Sequence, residues 1–250
     1  MPERARRHDL VWLHLAGRHQ AQAATACCAA DAGAQEELAE WIAAGYPLIV
    51  SQQPPTLAAD CLQLGLALPP ARGKRRLAFV LPRSAVLRSS APPLLRTLQS
   101  AQPGAASARL PAAWQPVLAV LLGKPAVMAT EPRVYGSAGM QAVTGVDCVG
   151  AASDLDVLFA PPDWAAARAL ILALRANDLV NAQPRVDGEV ISPAGDAVAW
   201  RELAGSSAKL LVKGSLTTRL IERQAFEASF ATNFTARLKT GGAALQPAAA

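Results

Sequence analysis

The amino-acid sequence predicts an α+β protein, in which a mixed sheet with flanking helices follows a smaller α/β N-terminal domain. Three observations favour this fold class. Short apolar segments bounded by Gly, Pro or Asp recur along the chain, as is typical of strands. Segments with apolar residues at helical spacing alternate with them. Between 83 and 112 the sequence is rich in Pro, Ser, Ala and Gly, which is typical of a linker between two folded units.

The change in composition divides the chain into four regions. We predict an N-terminal mixed α/β domain over 1–82, a Pro-rich linker over 83–112, a larger domain over 113–238 and a disordered Gly/Ala-rich tail over 239–250. A length of 250 residues is enough for one large domain or two small ones. With 52% hydrophobic residues, the chain has enough apolar surface to form a core.

The first region is predicted to be rich in strands. Helical spacing of Leu38, Trp41 and Ile42 indicates a helix over Gln35–Ala44. Three apolar segments around it are strand candidates: Asp9–Leu15, Tyr46–Val50 and Arg75–Leu81.

The third region alternates helix and strand patterns from Trp114 onward. We predict helices over Trp114–Leu122, Ser137–Val143 and Asp163–Ala176, and strands over Val134–Tyr135, Asp154–Phe159, Arg185–Ile191 and Ala197–Arg201, with a hairpin turn over Ser192–Asp196.

The most informative motif is a Gly136-Ser137 turn followed by a strand that carries Asp154 and Asp156. Residues i and i+2 of a strand project from the same face, so these two carboxylates are predicted to lie side by side. Neighbouring carboxylates repel unless a cation lies between them, and hard oxygen ligands suit Mg2+. The Gly136 backbone and the Ser137 hydroxyl are candidates for holding a phosphate. The alternative is that this Asp-x-Asp pair is structural, since such pairs are common on strands.

A third carboxylate is expected on a neighbouring strand, because a two-metal site needs a further ligand. Asp187 is the first candidate and Glu189 is the alternative, and the two share a strand face. A structural Asp-Gly turn at Asp187-Gly188 is the competing interpretation of the first candidate.

Composition and charge limit the classes of partner. A net charge of +5 and a pI near 9.3 indicate attraction to a polyanion such as a triphosphate or an acidic protein. Aromatic residues make up only 5% and are not interleaved with basic ones, which argues against nucleic-acid binding. No apolar run of membrane-spanning length and no signal-peptide core occurs, so a cytoplasmic protein without a membrane partner is expected.

The four cysteines (Cys27, Cys28, Cys61 and Cys148) lack metal-ligand spacing and are interpreted as reduced thiols.

These motifs, in this order, resemble two nested families. Arg133–Ser137, Thr144-Gly145 and Ser153–Asp156 resemble the nucleotidyltransferase superfamily of DNA polymerase beta. More narrowly, the chain resembles the phosphoribosyl-dephospho-CoA transferases, the holo-acyl-carrier-protein synthases of malonate decarboxylase. The agreement runs from about 7 to about 215, through Arg7–Leu10 with Trp12, Gly45–Val50, Leu64–Leu66, Gly73–Arg76, Asp187–Glu189 and Ala199–Leu203. The sixteen residues between Ser137 and Asp154 form a longer gap than is usual in the superfamily, which suggests a longer helix or loop over 140–152.

The resemblance implies a nucleotidyltransferase-like catalytic domain over 113–238, with Mg2+ as cofactor and Asp187 ranked above Glu189 as third ligand. The donor would be 2'-(5''-triphosphoribosyl)-3'-dephospho-CoA and the acceptor a serine of the apo acyl-carrier subunit of malonate decarboxylase. Ser137 would then be catalytic, Gly136 would contact substrate and His8 would be buried or touch substrate. A charge run is usually a solvated face, but the resemblance makes an anion clamp of the candidate cations Lys74, Arg75, Arg76, Arg133 and Lys213.

Three alternatives remain open at the level of sequence. A general nucleotidyltransferase moving an NMP to a protein, small molecule or RNA would use the same core. A non-catalytic binding module could keep the fold without the chemistry. A related synthase that serves citrate lyase uses the same prosthetic group.

Overall fold

The computed structural model describes residues 6–15, 22–23, 32–98, 110–176, 179 and 182–231. It confirms an α+β protein, which is built around two six-stranded sheets. No helix in these ranges is long and apolar enough to cross a membrane. The predicted tail over 239–250, together with Cys27 and Cys28, lies outside the described residues.

The N-terminal sheet is antiparallel throughout, with strand order β2-β5-β4-β3-β1-β6. Its strands are β1 (Leu10–Leu13), β2 (Gln22–Ala23), β3 (Leu48–Val50), β4 (Cys61–Ala67), β5 (Arg76–Pro82) and β6 (Val86–Ser90). Helix α1 (Ala32–Ala43) covers one face, and its residues Leu38, Trp41 and Ile42 are buried as their helical spacing predicts. This unit is therefore rich in strands, as predicted.

The C-terminal sheet is mixed, with strand order β12-β11-β10-β9-β8-β7. Its strands are β7 (Arg133–Val134), β8 (Leu155–Phe159), β9 (Val186–Ile191), β10 (Ala197–Ala199), β11 (Lys209–Lys213) and β12 (Thr218–Glu222). The pair β8–β9 is parallel and the other pairs are antiparallel. Leu155, Val157 and Phe159 of β8 enter the core on one face, which leaves Asp156 on the other.

Helices cover the core face of this sheet. They are α2 (Gln115–Leu122), α3 (Pro125–Met128), α4 (Gly136–Thr144), α5 (Trp164–Leu174), α6 (Trp200–Ala204) and α7 (Arg223–Ala228), with short 3-10 turns at Leu95–Leu98 and Ala112–Trp114. Two further 3-10 turns, Pro70–Arg72 and Arg83–Ala85, lie in the N-terminal unit. Helix α5 starts one residue after the predicted position because Asp163 is its N-cap and accepts a hydrogen bond of 2.8 Å from the Ala166 N–H.

Two predictions about secondary structure need correction. Residues 83–98 of the predicted linker hold two 3-10 turns and strand β6, which pairs with β1 at the edge of the N-terminal sheet. Because most of β6 is exposed, its sequence lacks a buried alternation that would mark a strand. Trp200 and Arg201 do not end a strand but begin α6. The buried Trp200 indole donates to the Val186 carbonyl at 3.2 Å, so the chain turns off the sheet there.

Helix α4 connects the two units. Its residue Ala138 belongs to the C-terminal core, whereas Met140 lies in the N-terminal core together with Cys148. The buried Gln141 side chain accepts hydrogen bonds from the backbone N–H groups of Cys148 and Val149, at 2.9 and 2.8 Å. Those bonds hold the loop that follows α4 against both cores.

Candidate active site

The parallel pairing of β8 with β9 places the predicted carboxylates beside one another. Asp156 is directly opposite Asp187 in the ladder, and Leu158 is opposite Glu189. Opposed residues on neighbouring strands project from the same face, so Asp156 and Asp187 are neighbours. Asp154 precedes β8 by one residue, and its side chain is 33% exposed. The structure thus brings the three predicted catalytic aspartates to one region of the sheet.

Gly136 allows the start of α4 to approach this face. Its φ is +63°, and a Cβ at this position would overlap the Asp156 carboxylate. Only glycine adopts this backbone conformation without strain while leaving that space. The N-cap residue Tyr135 offers no capping side-chain hydrogen bond, so the N-terminal N–H groups of α4 are not satisfied by a cap. The first turn of α4 therefore lies against Asp156 with its positive dipole end.

Arg185 lies between two of the three aspartates. Its guanidinium donates to Asp154 at 2.6 and 3.2 Å and to Asp187 at 3.1 Å. Within the described ranges, no group of three or more His, Cys, Asp or Glu side chains is placed to hold a metal ion. The Arg185 side chain, which is 52% exposed, supplies the positive charge that two close carboxylates need. The donor set itself, three carboxylates from adjacent strands, fits the oxygen ligands that Mg2+ prefers.

The electrostatics of Asp156 reflect this crowding. Burial, followed by the charges of Asp187 and Asp154, raises the pKa of its carboxyl to about 6, against a smaller opposite effect of Arg76. A carboxylate with a raised pKa among like charges is typical of a functional site that binds a cation.

Glu189 has a different environment from the three aspartates. Arg7 donates a hydrogen bond to its Oε2, Lys213 Nζ lies 2.9 Å from its Oε1, and His8 Nε2 lies 3.4 Å from its Oε2. Burial alone raises the pKa of this carboxyl, but the close contacts with His8 and Arg7, including the hydrogen bond from Arg7, hold it well below its usual range. Glu189 is thus engaged in a buried ion cluster.

The ion cluster joins the two units. The backbone N–H of His8 donates to the Val50 carbonyl at 2.8 Å. This bond fixes the segment before β1 on β3 and directs Arg7 and His8 toward β9. The His8 ring lies 4.2 Å from the Tyr135 ring, and burial lowers the pKa of the imidazole. His8 is largely buried, with 15% of its side chain exposed. Arg7 and Lys213 thus place two cations beside the single carboxylate of Glu189.

A cleft of about 550 Å³ separates the two sheets. Its C-terminal wall includes Gly136, Asp156, Glu189 and Lys213, and Arg7 and His8 lie at the junction. The N-terminal wall is formed mainly by apolar and small residues of β3, β4 and β5, and includes Arg76 at the start of β5. Volume and lining are typical of a small-molecule site.

The predicted cations divide into two groups. Arg76 and Lys213 line the cleft. Arg75 does not line it and instead pairs with Glu37 at 3.1 Å, while Lys74 follows Gly73 in an exposed turn. Arg133 donates to the Pro92 carbonyl at 2.8 Å, which ties the segment after β6 to β7. The structure therefore brings two of the five predicted cations to the cleft.

Ser137 stands in the first turn of α4 and is partly exposed. It is not among the residues that line the cleft, and its contact with a phosphate stays a prediction.

Sequence reasoning missed two functional candidates, Arg7 and Arg185. Arg185 is two residues before Asp187, and this closeness of a cation to the third predicted carboxylate could have identified it from the sequence. Arg7 meets Glu189 across 182 positions of sequence, and no local pattern indicates such a contact.

Both parts of the chain match models of one protein family. The family model described as phosphoribosyl-dephospho-CoA transferase MdcG, C-terminal domain, matches residues 96–224, and the N-terminal domain model of the same family matches 6–92. A phosphoribosyl-dephospho-CoA transferase of Xanthomonas euvesicatoria is 38% identical over 221 residues, which cover 88% of this chain and 96% of the relative. A protein of the same name from Bradyrhizobium diazoefficiens is 36% identical, with 88% and 91% covered. No solved structure matches.

Proposed function

We propose that this chain, which belongs to the phosphoribosyl-dephospho-CoA transferase family, modifies the apo acyl-carrier subunit of malonate decarboxylase. It would take the prosthetic group from 2'-(5''-triphosphoribosyl)-3'-dephospho-CoA, attach it to a serine of the carrier and release pyrophosphate. The observation that carries the proposal is the cleft in which Asp156 and Gly136 face a group of cations contributed by both sheets. We further propose that the catalytic domain follows the nucleotidyltransferase pattern.

The cations around the cleft fit the triphosphate end of the donor. Arg7 and Lys213 share one carboxylate, that of Glu189, so the cluster keeps an excess positive charge when His8 is neutral. Arg76 adds another cation close enough to Asp156 to affect its pKa. The uncapped N–H groups at the start of α4 add backbone donors for phosphate oxygens. Together these groups would stabilise the charge that develops on the leaving pyrophosphate.

Asp154, Asp156 and Asp187 would hold Mg2+ as the proposed cofactor, and Arg185 would then release the carboxylates that it bridges in this structure. When bound, the ion supplies neutralisation of phosphate charge and a lower pKa for the attacking hydroxyl. The buried Glu189 does not take part in this ligand set, because three basic groups already surround it.

The reaction balances as a substitution at phosphorus. A bond forms between the carrier serine Oγ and the α-phosphorus, the bond from the α-phosphorus to the bridging oxygen of the pyrophosphate breaks, and the hydroxyl proton is released to water. The chain supplies no nucleophile of its own in this scheme. Its residues contribute by orienting the two substrates and by matching their charge, which are the main sources of catalysis in phosphoryl transfer.

Intact-protein mass spectrometry tests the proposal directly. The protein is mixed with Mg2+, the triphosphoribosyl donor and the apo carrier, and a mass gain equal to phosphoribosyl-dephospho-CoA is expected on the carrier. Asp154→Ala is expected to lower the rate by roughly 10³-fold, since a metal ligand contributes several kcal/mol to the transition state. Asp147→Ala, an exposed aspartate in the loop after α4, is the matched control and is expected to retain activity.

The other outcomes assign the protein elsewhere. Transfer from ATP but not from this donor would indicate a general nucleotidyltransferase. Faster modification of the citrate lyase carrier would overturn the choice of acceptor. No transfer with any donor would favour a binding module. Removal of divalent ions with EDTA should abolish transfer, and addition of Mg2+ should restore it.

A further inference from the structure

We propose that the N-terminal wall of the cleft binds the dephospho-CoA portion of the donor, and that Gly65 is the residue that opens the space for it. The inference rests on the proposed function and extends it to the end of the donor that does not react. The ligand class is a purine nucleoside diphosphate that carries a pantetheine arm.

Gly65 occupies the middle of a central strand of the N-terminal sheet. It lies in β4, opposite Ile49 of β3 on one side and Ala78 of β5 on the other. A glycine in such a position weakens a strand, because it loses much conformational freedom and offers no side chain for packing. A strand interior is therefore a costly place for this residue type.

The fold itself does not require glycine at this position. Gly65 has no left-handed φ, and a Cβ built on it would lie 3.8 Å from the Ile49 carbonyl oxygen and 3.9 Å from the Leu77 carbonyl oxygen. These are ordinary van der Waals distances, so a side chain would fit without moving either neighbour. The reason for glycine must then lie outside the sheet's own packing.

The missing side chain leaves room on the cleft side. Leu64 and Leu66 of the same strand are fully buried in the N-terminal core, so Gly65 projects from the opposite face. Gly65 and Ala67, which share that face, both line the cleft. A glycine inside a strand often marks a place where a ligand approaches the backbone closely.

The polarity of the cleft changes from one wall to the other. Apart from Arg76 at the start of β5, the charged residues gather at the C-terminal wall and at the junction, whereas Leu10, Ile49 and Ala67 line the opposite side. The donor has the same asymmetry, with a triphosphate at its reacting end and an adenine base and a pantetheine arm at the other. With the triphosphate near Asp156 and Lys213, the rest of the donor extends along the wall that Gly65 keeps open.

Isothermal titration calorimetry with dephospho-CoA, which lacks the triphosphoribosyl group and cannot react, tests this assignment. The wild-type protein is expected to bind it. Gly65→Val is expected to weaken binding at least about 10-fold, and Gly65→Ala less, because the added groups fill the ligand's space. Ala78→Val is the matched control. It adds bulk to the facing position of β5, which does not line the cleft, and should keep the wild-type dissociation constant.

Two further measurements separate loss of the ligand site from loss of the fold. Thermal unfolding of Gly65→Val is expected at or above the wild-type temperature, because β-branched residues favour strands. Inorganic tripolyphosphate is expected to bind the wild-type and Gly65→Val proteins equally, since it occupies the charged end of the cleft.

Three results would overturn the inference. The first is a Gly65→Val variant that binds dephospho-CoA with wild-type affinity. The second is an active wild-type protein that does not bind dephospho-CoA. The third is a Gly65→Val variant in which only binding of the apo carrier is lost. Failure of the proposed function is distinguishable, because it would appear as absent transfer while the dephospho-CoA affinities still differ between the variants as expected.

Discussion

The two walls of the cleft are both faces of six-stranded sheets, yet they expose different chemistry. The C-terminal wall carries Asp156 and Glu189 on adjacent parallel strands, with Lys213 close to Glu189. The N-terminal wall is antiparallel and exposes Gly65, Ala67 and apolar side chains. One wall thus presents charged side chains at fixed positions, and the other presents mainly small and apolar residues that shape the cleft.

A second difference exists within the charged wall itself. Asp156 and Glu189 lie on neighbouring strands, but burial and like charges raise the pKa of Asp156 to about 6, while the pKa of Glu189 is held below its usual range. Glu189 has Arg7 and Lys213 as partners, whereas Asp156 has mainly other aspartates around it. The contrast indicates that Glu189 joins the two units, whereas Asp156 is crowded by like charges.

The largest effect on stability is expected at the junction of the walls. Glu189→Gln removes a buried carboxylate and leaves Arg7 and Lys213 without their shared partner. We expect the free energy of unfolding, measured by urea denaturation at pH 7, to fall by about 3 kcal/mol. Because the folded pKa of Glu189 is lowered, this contribution is present above its ordinary value of 4.5 and is lost as the pH falls below it.

Glu222→Gln is the matched control for that measurement. Glu222 pairs with Lys209 at 3.7 Å, and both side chains are at least 60% exposed. Exposed pairs contribute little, so a small change is expected. Equal losses for the two variants would show that Glu189 does not join the walls.

An opposite effect is expected at Asp156. Asp156→Asn should stabilise the metal-free protein at pH 7.5 by up to about 3 kcal/mol, because a pKa raised from 3.8 to about 6 means that the ionised form destabilises the fold. The penalty in the wild-type protein develops as the pH rises from about 4 through 6, so the gain should vanish below pH 4. Differential scanning fluorimetry in EDTA across this range measures it. A destabilised Asp156→Asn protein at pH 7.5 would contradict the expected repulsion.

The smallest effect is expected at the rim of the N-terminal wall. Arg76→Ala should raise the KM for the donor about 10-fold, which corresponds to about 1.4 kcal/mol, since Arg76 lines the cleft and acts on Asp156. Arg75→Ala removes the adjacent arginine, which pairs with Glu37 outside the cleft, and should leave the KM unchanged. Steady-state kinetics of the two variants compares neighbouring cations of the same type. Equal increases in the KM of the two variants would indicate that the whole basic run contacts the substrate.

Local patterns predicted much of the fold. Alternation of carboxylates with apolar residues located β8 and β9, and helical spacing located α1 and α5. Strand β6 was missed because an exposed edge strand carries no such alternation. Strands β11 and β12 were also missed, although Leu210 and Val212 alternate with exposed residues as in a strand.

Sequence reasoning placed the candidate carboxylates on strand faces, but it did not identify the charged partners of each one. Asp154 and Asp156 share a face because of the two-residue period of a strand, and Gly136 was recognised as part of a turn. Arg185 lies near Asp187 in sequence, but its bridging of Asp154 depends on the pairing of two strands. Lys74 and Arg133 were grouped with Arg76 by charge and by the resemblance, and neither indicates which side of a sheet or turn a residue occupies.

The sequence by itself determined the α+β class and the strand faces that carry Asp156 and Asp187. Only the tertiary structure decided that the Glu189 carboxylate is neutralised and that the Asp156 carboxylate is available. The reason is that the Arg7–Glu189 pair joins residues 182 positions apart. It also decided that Gly65 faces a cleft. Side-chain periodicity is a property of the local backbone, whereas the partners of a charge and the space beside a glycine depend on how separate sheets pack together.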